Sequence, residues 1–142
     1  MIRYVCFIIL SVATAISGAS FAAGDERLMV DLPAPMKTHM LQNMRGHLVV
    51  IDQLILLLSE EKLDEASDLA EAELGMSSLN KHGASHIAPY YPKGMQQAGT
   101  AMHKSASQFA RVAQEGDVLV AFKALRKITA ACTGCHAGYK VQ

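Results

Sequence analysis

The sequence has few cysteines, no excess charge of either sign and little strand-like alternation, and each absence excludes a class of protein. The 142 residues include 3 cysteines. One of them, Cys6, lies in an N-terminal segment that we expect to be removed, so no disulfide framework can form from the remaining pair. Basic and acidic side chains number 13 each, and no basic stripe indicates nucleic-acid binding. β-branched residues are few, which argues against a sheet, and we see no internal repeat.

Residues 1–22 have the features of a secretory signal peptide. Arg3 precedes an apolar run over residues 5–16, and Ser20 and Ala22 are the small residues expected before cleavage after Ala22. An uncleaved membrane anchor is the alternative. We therefore expect a periplasmic protein that meets the membrane only through this segment before cleavage. The mature chain has about 120 residues, which suits one domain: a flexible lead-in at 23–34 and a folded domain at 35–142.

Apolar residues recur at helical spacing in four segments of the mature chain. We predict helices from Pro35 to about Leu58, from about Leu63 to Asn80 with Gly83 as terminator, from about Lys93 to Gln114, and from an N-cap at Asp117 towards the C-terminus. The predicted inward faces include Leu69, Ala72, Met76 and Leu79 of the second helix, Met95, Ala98, Met102, Ala106, Phe109 and Ala110 of the third, and Phe122, Leu125, Thr129 and Cys132 of the fourth. Two short connections and one longer one at 83–92 favour an all-α, antiparallel four-helix bundle.

The most specific motif is Cys132-Thr133-Gly134-Cys135-His136, near the C-terminus. Cys-x-x-Cys-His is the attachment signature of a c-type haem. Two thiols one helical turn apart can add to the vinyl groups of the porphyrin, and the adjacent imidazole can bind iron as the proximal ligand. The alternatives are a thioredoxin-like redox pair, half of a zinc site or a structural disulfide. No βαβ pattern or second ligand pair supports the first two, and the two-residue gap is unusual for a structural bridge.

The motif stands at the end of the fourth predicted helix, whereas the commoner small c-type cytochromes carry it near the N-terminus. Together with the aromatic-basic pair Tyr139-Lys140, which follows the motif after two intervening residues, this position resembles the cytochrome c-prime superfamily, the class II c-type cytochromes. The resemblance implies one covalent haem c between the helices, with Cys132 and Cys135 as its thioethers and His136 as its proximal iron ligand. It also implies frequent homodimers and a periplasmic location.

The distal iron ligand divides this superfamily. Low-spin relatives use a methionine of the first helix and carry electrons, whereas high-spin members leave the position open and bind gases. Met40 is our first candidate because it lies in the second turn, roughly where the distal residue of the family falls, and Met36 is too near the helix start. Met44 and His47 are the alternatives, and all these methionines could instead be core packing beside a cofactor.

We therefore predict a one-electron carrier, not an enzyme, that cycles Fe(III) and Fe(II) with unidentified redox partner proteins. Its acidic residues could steer a basic partner; they are Glu60, Glu61, Asp64, Glu65, Asp68, Glu71 and Glu73. The first alternative is a five-coordinate cytochrome that binds NO or CO. The second is a periplasmic copper-binding, metal-stress protein that uses His82 and His86, with Met76 and Met95 nearby.

Overall fold

The structure is a computed structural model that describes residues 24–141, so the predicted signal peptide and Cys6 lie outside the described residues. The helices are α1 (Ala34–Ser59), α2 (Leu63–Glu73), α3 (Ala84–Ile87), α4 (Lys93–Ala113) and α5 (Val118–Gly138), and the strands are β1 (Leu28–Val30) and β2 (Tyr139–Val141). The predicted all-α class is therefore confirmed for most of this part of the chain. Within it, no helix has the length and apolar character needed to cross a membrane.

The starts of the long helices follow local chemistry that is visible in the sequence. Helix α1 begins with proline in its first turn, where a missing N–H leaves no hydrogen bond unmade. At the start of α5, a carboxylate oxygen of Asp117 accepts hydrogen bonds from the backbone N–H groups of Leu119 and Val120, at 2.9 and 3.0 Å. The predicted N-cap at Asp117 is thus confirmed.

The second helix is shorter than predicted, because it ends at Glu73 and not near Asn80. The chain turns tightly at Gly75, where a Cβ atom would lie 2.7 Å from the carbonyl oxygen of Glu71. A short 3₁₀ segment, Met76–Leu79, follows. Gly83 has a left-handed φ of 61°, but it precedes α3 and does not terminate α2. The predicted loop at 83–92 contains α3 and a second 3₁₀ turn, Ala88–Tyr90.

The lead-in differs from the flexible segment that we predicted. Its strand β1 pairs in parallel with β2, and Leu28 is opposite Tyr139 in the register. Strands of three residues are too short to produce a visible alternation. Their pairing joins two segments that are more than 100 residues apart in sequence, so no local pattern could indicate it.

The side-chain core lies where the second half of α1 meets α2, α4 and the first half of α5. Helix α4 packs most extensively against α5, and α2 packs against both α4 and α1. The largest fully buried apolar side chains are Leu54, Leu58, Leu74, Phe109 and Ile128. This cluster continues through the alanines at 66, 70, 106, 110, 113, 121 and 124.

The predicted inward face of the third helix is confirmed at Met102, Ala106, Phe109 and Ala110, which are all buried. The predicted faces of its two neighbours are partly wrong. Ala72 and Phe122 are exposed, whereas α2 buries Ala66, Ser67 and Ala70, and α5 buries Ala121 and Ala124. Small residues form the buried face of α2, and on α5 they lie beside buried Leu125 and Ile128, so the prediction for Leu125 is confirmed. Because alanine is only weakly hydrophobic, the sequence pattern indicated Phe122, and not Ala121 and Ala124, as an inward residue of α5.

Candidate functional site

The Cys-x-x-Cys-His motif forms the end of α5, so its side chains are set by helical geometry. Cys132 and Cys135 are one turn apart, half-buried and free of any disulfide. Burial raises the pKa of both thiols, which keeps them protonated near neutral pH. His136 is exposed in the last turn of the helix. The motif therefore presents two unpaired thiols and a free imidazole at one end of the molecule.

A set of polar contacts connects the lead-in to the motif. The Arg27 guanidinium donates to the Asp25 carboxylate at 2.8 Å and to the carbonyl oxygen of His136 at 3.4 Å. Its hydrogen bond also holds the pKa of Asp25 well below the ordinary value. The Lys140 ammonium lies 3.4 Å from the same carboxylate and donates to the Asp25 carbonyl oxygen at 2.9 Å. With β1 and β2, these contacts hold the backbone at the C-terminal end of the motif.

An apolar cavity of about 300 Å³ lies beside the motif. Its wall includes Met40, Met44 and His47 from α1, Met95 and Met102 from α4, and Cys132, Cys135 and His136 from α5. Helices α1 and α5 make few contacts with each other, and the cavity occupies the space between their separated halves. The structure thus brings together all the residues that the sequence suggested for the haem, its proximal ligand and its distal ligand.

The candidates for the distal position differ in burial. Met40 is 6% exposed and Met44 is 36% exposed, and both line the cavity. Met36 is half-buried and is not part of the cavity wall. His47 lies one turn beyond Met44 and also lines the cavity. The wall is therefore rich in thioethers on the side that belongs to α1 and α4.

Next to this cavity, three histidine rings form a cluster that sequence reasoning did not find. The ring centres of His47 and His82 are 4.7 Å apart, those of His82 and His103 are 5.5 Å apart, and those of His47 and His103 are 6.1 Å apart. His86, the predicted partner of His82 in a copper site, is exposed and takes no part in these ring contacts. His103 was missed because a single histidine on an apolar helix face carries no signal of its partners.

The surroundings of the cluster restrain two of its members. His103 is buried, and its Nδ1 donates to the carbonyl oxygen of Leu74 at 2.7 Å. The carbonyl oxygen of His82 accepts from His39 Nε2 at 2.8 Å and from Asn43 Nδ2 at 3.1 Å. The 3₁₀ segment and the following turn are thereby attached to α1, which brings His82 against His47.

His47 is the exception within the cluster, because its buried Nε2 has no hydrogen-bond partner. Burial, reinforced by the other two histidines, lowers the pKa of His47 to about 4, so its ring is neutral at pH 7. Burial also lowers the pKa of His82. Within residues 24–141, the side chains as placed do not direct three His, Cys, Asp or Glu donor atoms at one metal ion.

The chain matches no protein-family model, and no curated protein or solved structure is significantly similar to it. Functional inference therefore depends on the motif, the cavity and the histidine cluster themselves.

Proposed function

We propose that this protein is a c-type cytochrome that binds one covalent haem and transfers single electrons. The observation that carries the proposal is the cavity beside the end of α5. Two free thiols and a histidine with the spacing of the haem-attachment signature share its wall with methionines from two other helices. A site that held only a redox pair of cysteines would not need an apolar cavity of this size.

The attachment chemistry suits the state of the cysteines. Each S–H bond adds across a vinyl C=C bond, so the sulfur joins one carbon, the hydrogen joins the other, and no net oxidation occurs. Cys132 and Cys135 are unpaired and half-buried at the cavity wall, which supports this role. His136, the next residue, would bind the iron as proximal ligand, and the contacts of Arg27 and β2 would restrain its backbone.

For the distal ligand we propose Met40, with Met44 and His47 as alternatives. Its burial of all but 6% of the side chain supports this choice, because an ordered thioether loses little conformational freedom on ligation. Bound haem supplies one-electron transfer between ferric and ferrous iron, and a thioether ligand favours the ferrous form. The apolar wall would exclude water from the bound group.

At the level of the fold, we propose that α1, α2, α4 and α5 form an antiparallel four-helix bundle of the cytochrome c-prime kind. The sparse contact between α1 and α5 supports this arrangement, because a haem inserted between them would fill the space. A homodimer, a periplasmic location and a basic redox partner protein complete the proposal. No catalytic role is assigned to the protein.

The proposal is tested by producing the full chain in a host that attaches haem to c-type cytochromes. We expect one haem to remain on the denatured polypeptide in mass spectrometry. The reduced protein should have a sharp, split low-spin spectrum that CO does not change. In Met40→Ala, we expect the weak sulfur-to-iron band of the oxidised protein to disappear.

The matched control is Met36→Ala, which removes a methionine one turn earlier that does not line the cavity. This variant should retain the native spectrum. A polypeptide that carries no haem would overturn the proposed function. A high-spin native spectrum that shifts with CO would reject Met40 as ligand and assign the protein to the gas-binding class.

A further inference from the structure

The histidine cluster draws on three separate parts of the fold. His47 belongs to α1, His103 belongs to α4, and His82 lies in the turn between the 3₁₀ segment and α3. These residues are more than twenty positions apart in sequence, and only the packing of α1, α2 and α4 brings them together. Three imidazoles within one small region are a ligand set that Zn²⁺ and Cu²⁺ favour.

The spacing of the rings fits a shared metal ion. With a metal–nitrogen distance of about 2.0–2.1 Å, the ion lies about 3 Å from each ring centre, so tetrahedral imidazole ligands have centres about 5 Å apart. The observed separations of 4.7, 5.5 and 6.1 Å lie close to that value. The rings are tilted against one another and not stacked. As placed, the nitrogens do not converge on one point, so binding would require the rings of His47 and His82 to turn about their Cβ–Cγ bonds. That rotation leaves the ring centres nearly in place, and the Nδ1 hydrogen bond of His103 stays intact.

The hydrogen bonds of the cluster leave nitrogens free for this purpose. His103 uses Nδ1 to donate to the Leu74 carbonyl oxygen, so Nε2 carries the lone pair of the neutral ring. Metal-binding histidines usually make such a bond with their second nitrogen. His47 Nε2 is buried without a partner, which is unfavourable unless a ligand satisfies it.

A route to the cluster and a nearby negative charge are also present. His47 and His82 line a cavity of about 330 Å³ that also contacts Glu73 and Lys81. Attraction to the Glu73 carboxylate stabilises the positive charge of both imidazoles, and it would act on a cation in the same way. A separate cavity of about 200 Å³ connects the histidines to Met40 and Met44.

We propose that His47, His82 and His103 bind one divalent transition-metal ion, Zn²⁺ or Cu²⁺, behind the α1 side of the haem cavity. The site goes beyond the proposed haem and does not depend on it, because no residue of the Cys-x-x-Cys-His motif takes part. It assigns His47 to this ion and not to iron. It also replaces the pair of His82 and His86 that the sequence suggested.

The experiment is a Zn²⁺ titration of the chelator-treated full-length holo-protein, followed by calorimetry and metal analysis. We expect one ion per chain, and we expect His82→Gln to weaken binding at least about tenfold. His86→Gln is the matched control, since it removes an exposed histidine four residues away, and its affinity should equal that of the native protein. Far-UV circular dichroism checks that both variants are folded.

A second measurement is independent of any variant. X-ray absorption of the native protein with one equivalent of Cu²⁺ should give three imidazole ligands. Native protein that retains no ion, fewer than three imidazoles, or equal binding by His82→Gln would each overturn the site. If the chain proves to carry no haem, the same titration of the haem-free protein tests the metal site alone, so the two proposals can fail separately.

Discussion

Helices α1, α4 and α5 pack tightly against one another in one half of the molecule and separate around a cavity in the other; we call these the closed half and the open half. In the closed half, the second part of α1 and the first part of α5 meet α4, and Leu54, Phe109 and Ile128 are fully buried. In the open half, the first part of α1 and the last part of α5 separate around the apolar cavity. The histidine cluster lies behind that cavity, against α1 and α4.

The difference between the halves is one of side-chain type. The closed half is packed with leucine, phenylalanine and many alanines, which allow the helices to approach closely. The wall of the open half is rich in methionine, an unbranched and adaptable side chain that fits irregular surfaces beside large groups. Side chains alone therefore complete the packing of the closed half, whereas the open half leaves space for a bound group.

The largest expected effect comes from removing the two cysteines of the open half that we propose to attach haem. In Cys132→Ser/Cys135→Ser, we expect covalent haem to fall from one per chain to none, because no sulfur remains to add to the vinyl groups. Mass spectrometry of the denatured chain measures this. Thr133→Ser, which changes an exposed residue between the two cysteines, should keep one haem. Haem that stays covalently attached to the double variant would contradict the assignment.

Two leucines of α1 allow the contributions of the closed and open halves to stability to be compared. Leu54 is fully buried and Leu48 is 71% exposed. We expect Leu54→Ala to lower the free energy of unfolding of the haem-free chain by about 2–5 kcal/mol. In the same chain, Leu48→Ala should change it by less than about 0.5 kcal/mol. Urea titration followed by circular dichroism measures both.

Haem should reduce the difference between the stability costs of Leu54→Ala and Leu48→Ala, because Leu48 lines the cavity. The cost of Leu48→Ala should therefore rise in the holo-protein, while that of Leu54→Ala should stay nearly constant. Equal costs for Leu48→Ala with and without haem would show that the cavity does not receive the group.

The last expected effect concerns the pH dependence of stability. The unfolded chain protonates His47 at its ordinary pKa of 6.5, and the folded chain does so only at about 4. Between these values the unfolded state binds more protons, so the contribution of His47 is complete above about pH 6.5 and is lost as the pH falls to about 4. The loss should reach at most about 2–3 kcal/mol.

This dependence is measured by urea unfolding at several pH values in the presence of a chelator, so that no metal ion competes with protons. In His47→Gln, the decline between pH 6.5 and 4 should become much smaller, because one buried titratable ring is gone. His86→Gln should retain the native profile. Identical profiles for His47→Gln and the native protein would contradict a buried, neutral His47.

Much of the helical architecture could be predicted from local patterns. The start of α1 at its prolines, the N-cap at Asp117 and the inward face of α4 all depend on residues close in sequence, and the structure confirms them. The end of α2 could not be predicted in this way, because the turn after it is held by a distant residue: the Ser107 hydroxyl of α4 accepts a hydrogen bond from the backbone N–H of Met76 at 2.9 Å. The predicted inward face of α5 is confirmed at Leu125 and wrong at Phe122, because Ala121, Ala124 and Ile128 complete the packed face.

In the candidate site, too, some features follow from local sequence and others only from helix packing. Cys132, Cys135 and His136 lie within the last two turns of one helix, so the motif and the chemistry proposed for it depend on local spacing alone. The sequence by itself also determined that methionines of α1 are available at helical spacing. Only the tertiary structure decided that Met40 and Met44 face the motif across a cavity, that β1 joins β2, and that His47, His82 and His103 meet. These are contacts between distant segments, and helix packing, not local spacing, creates them.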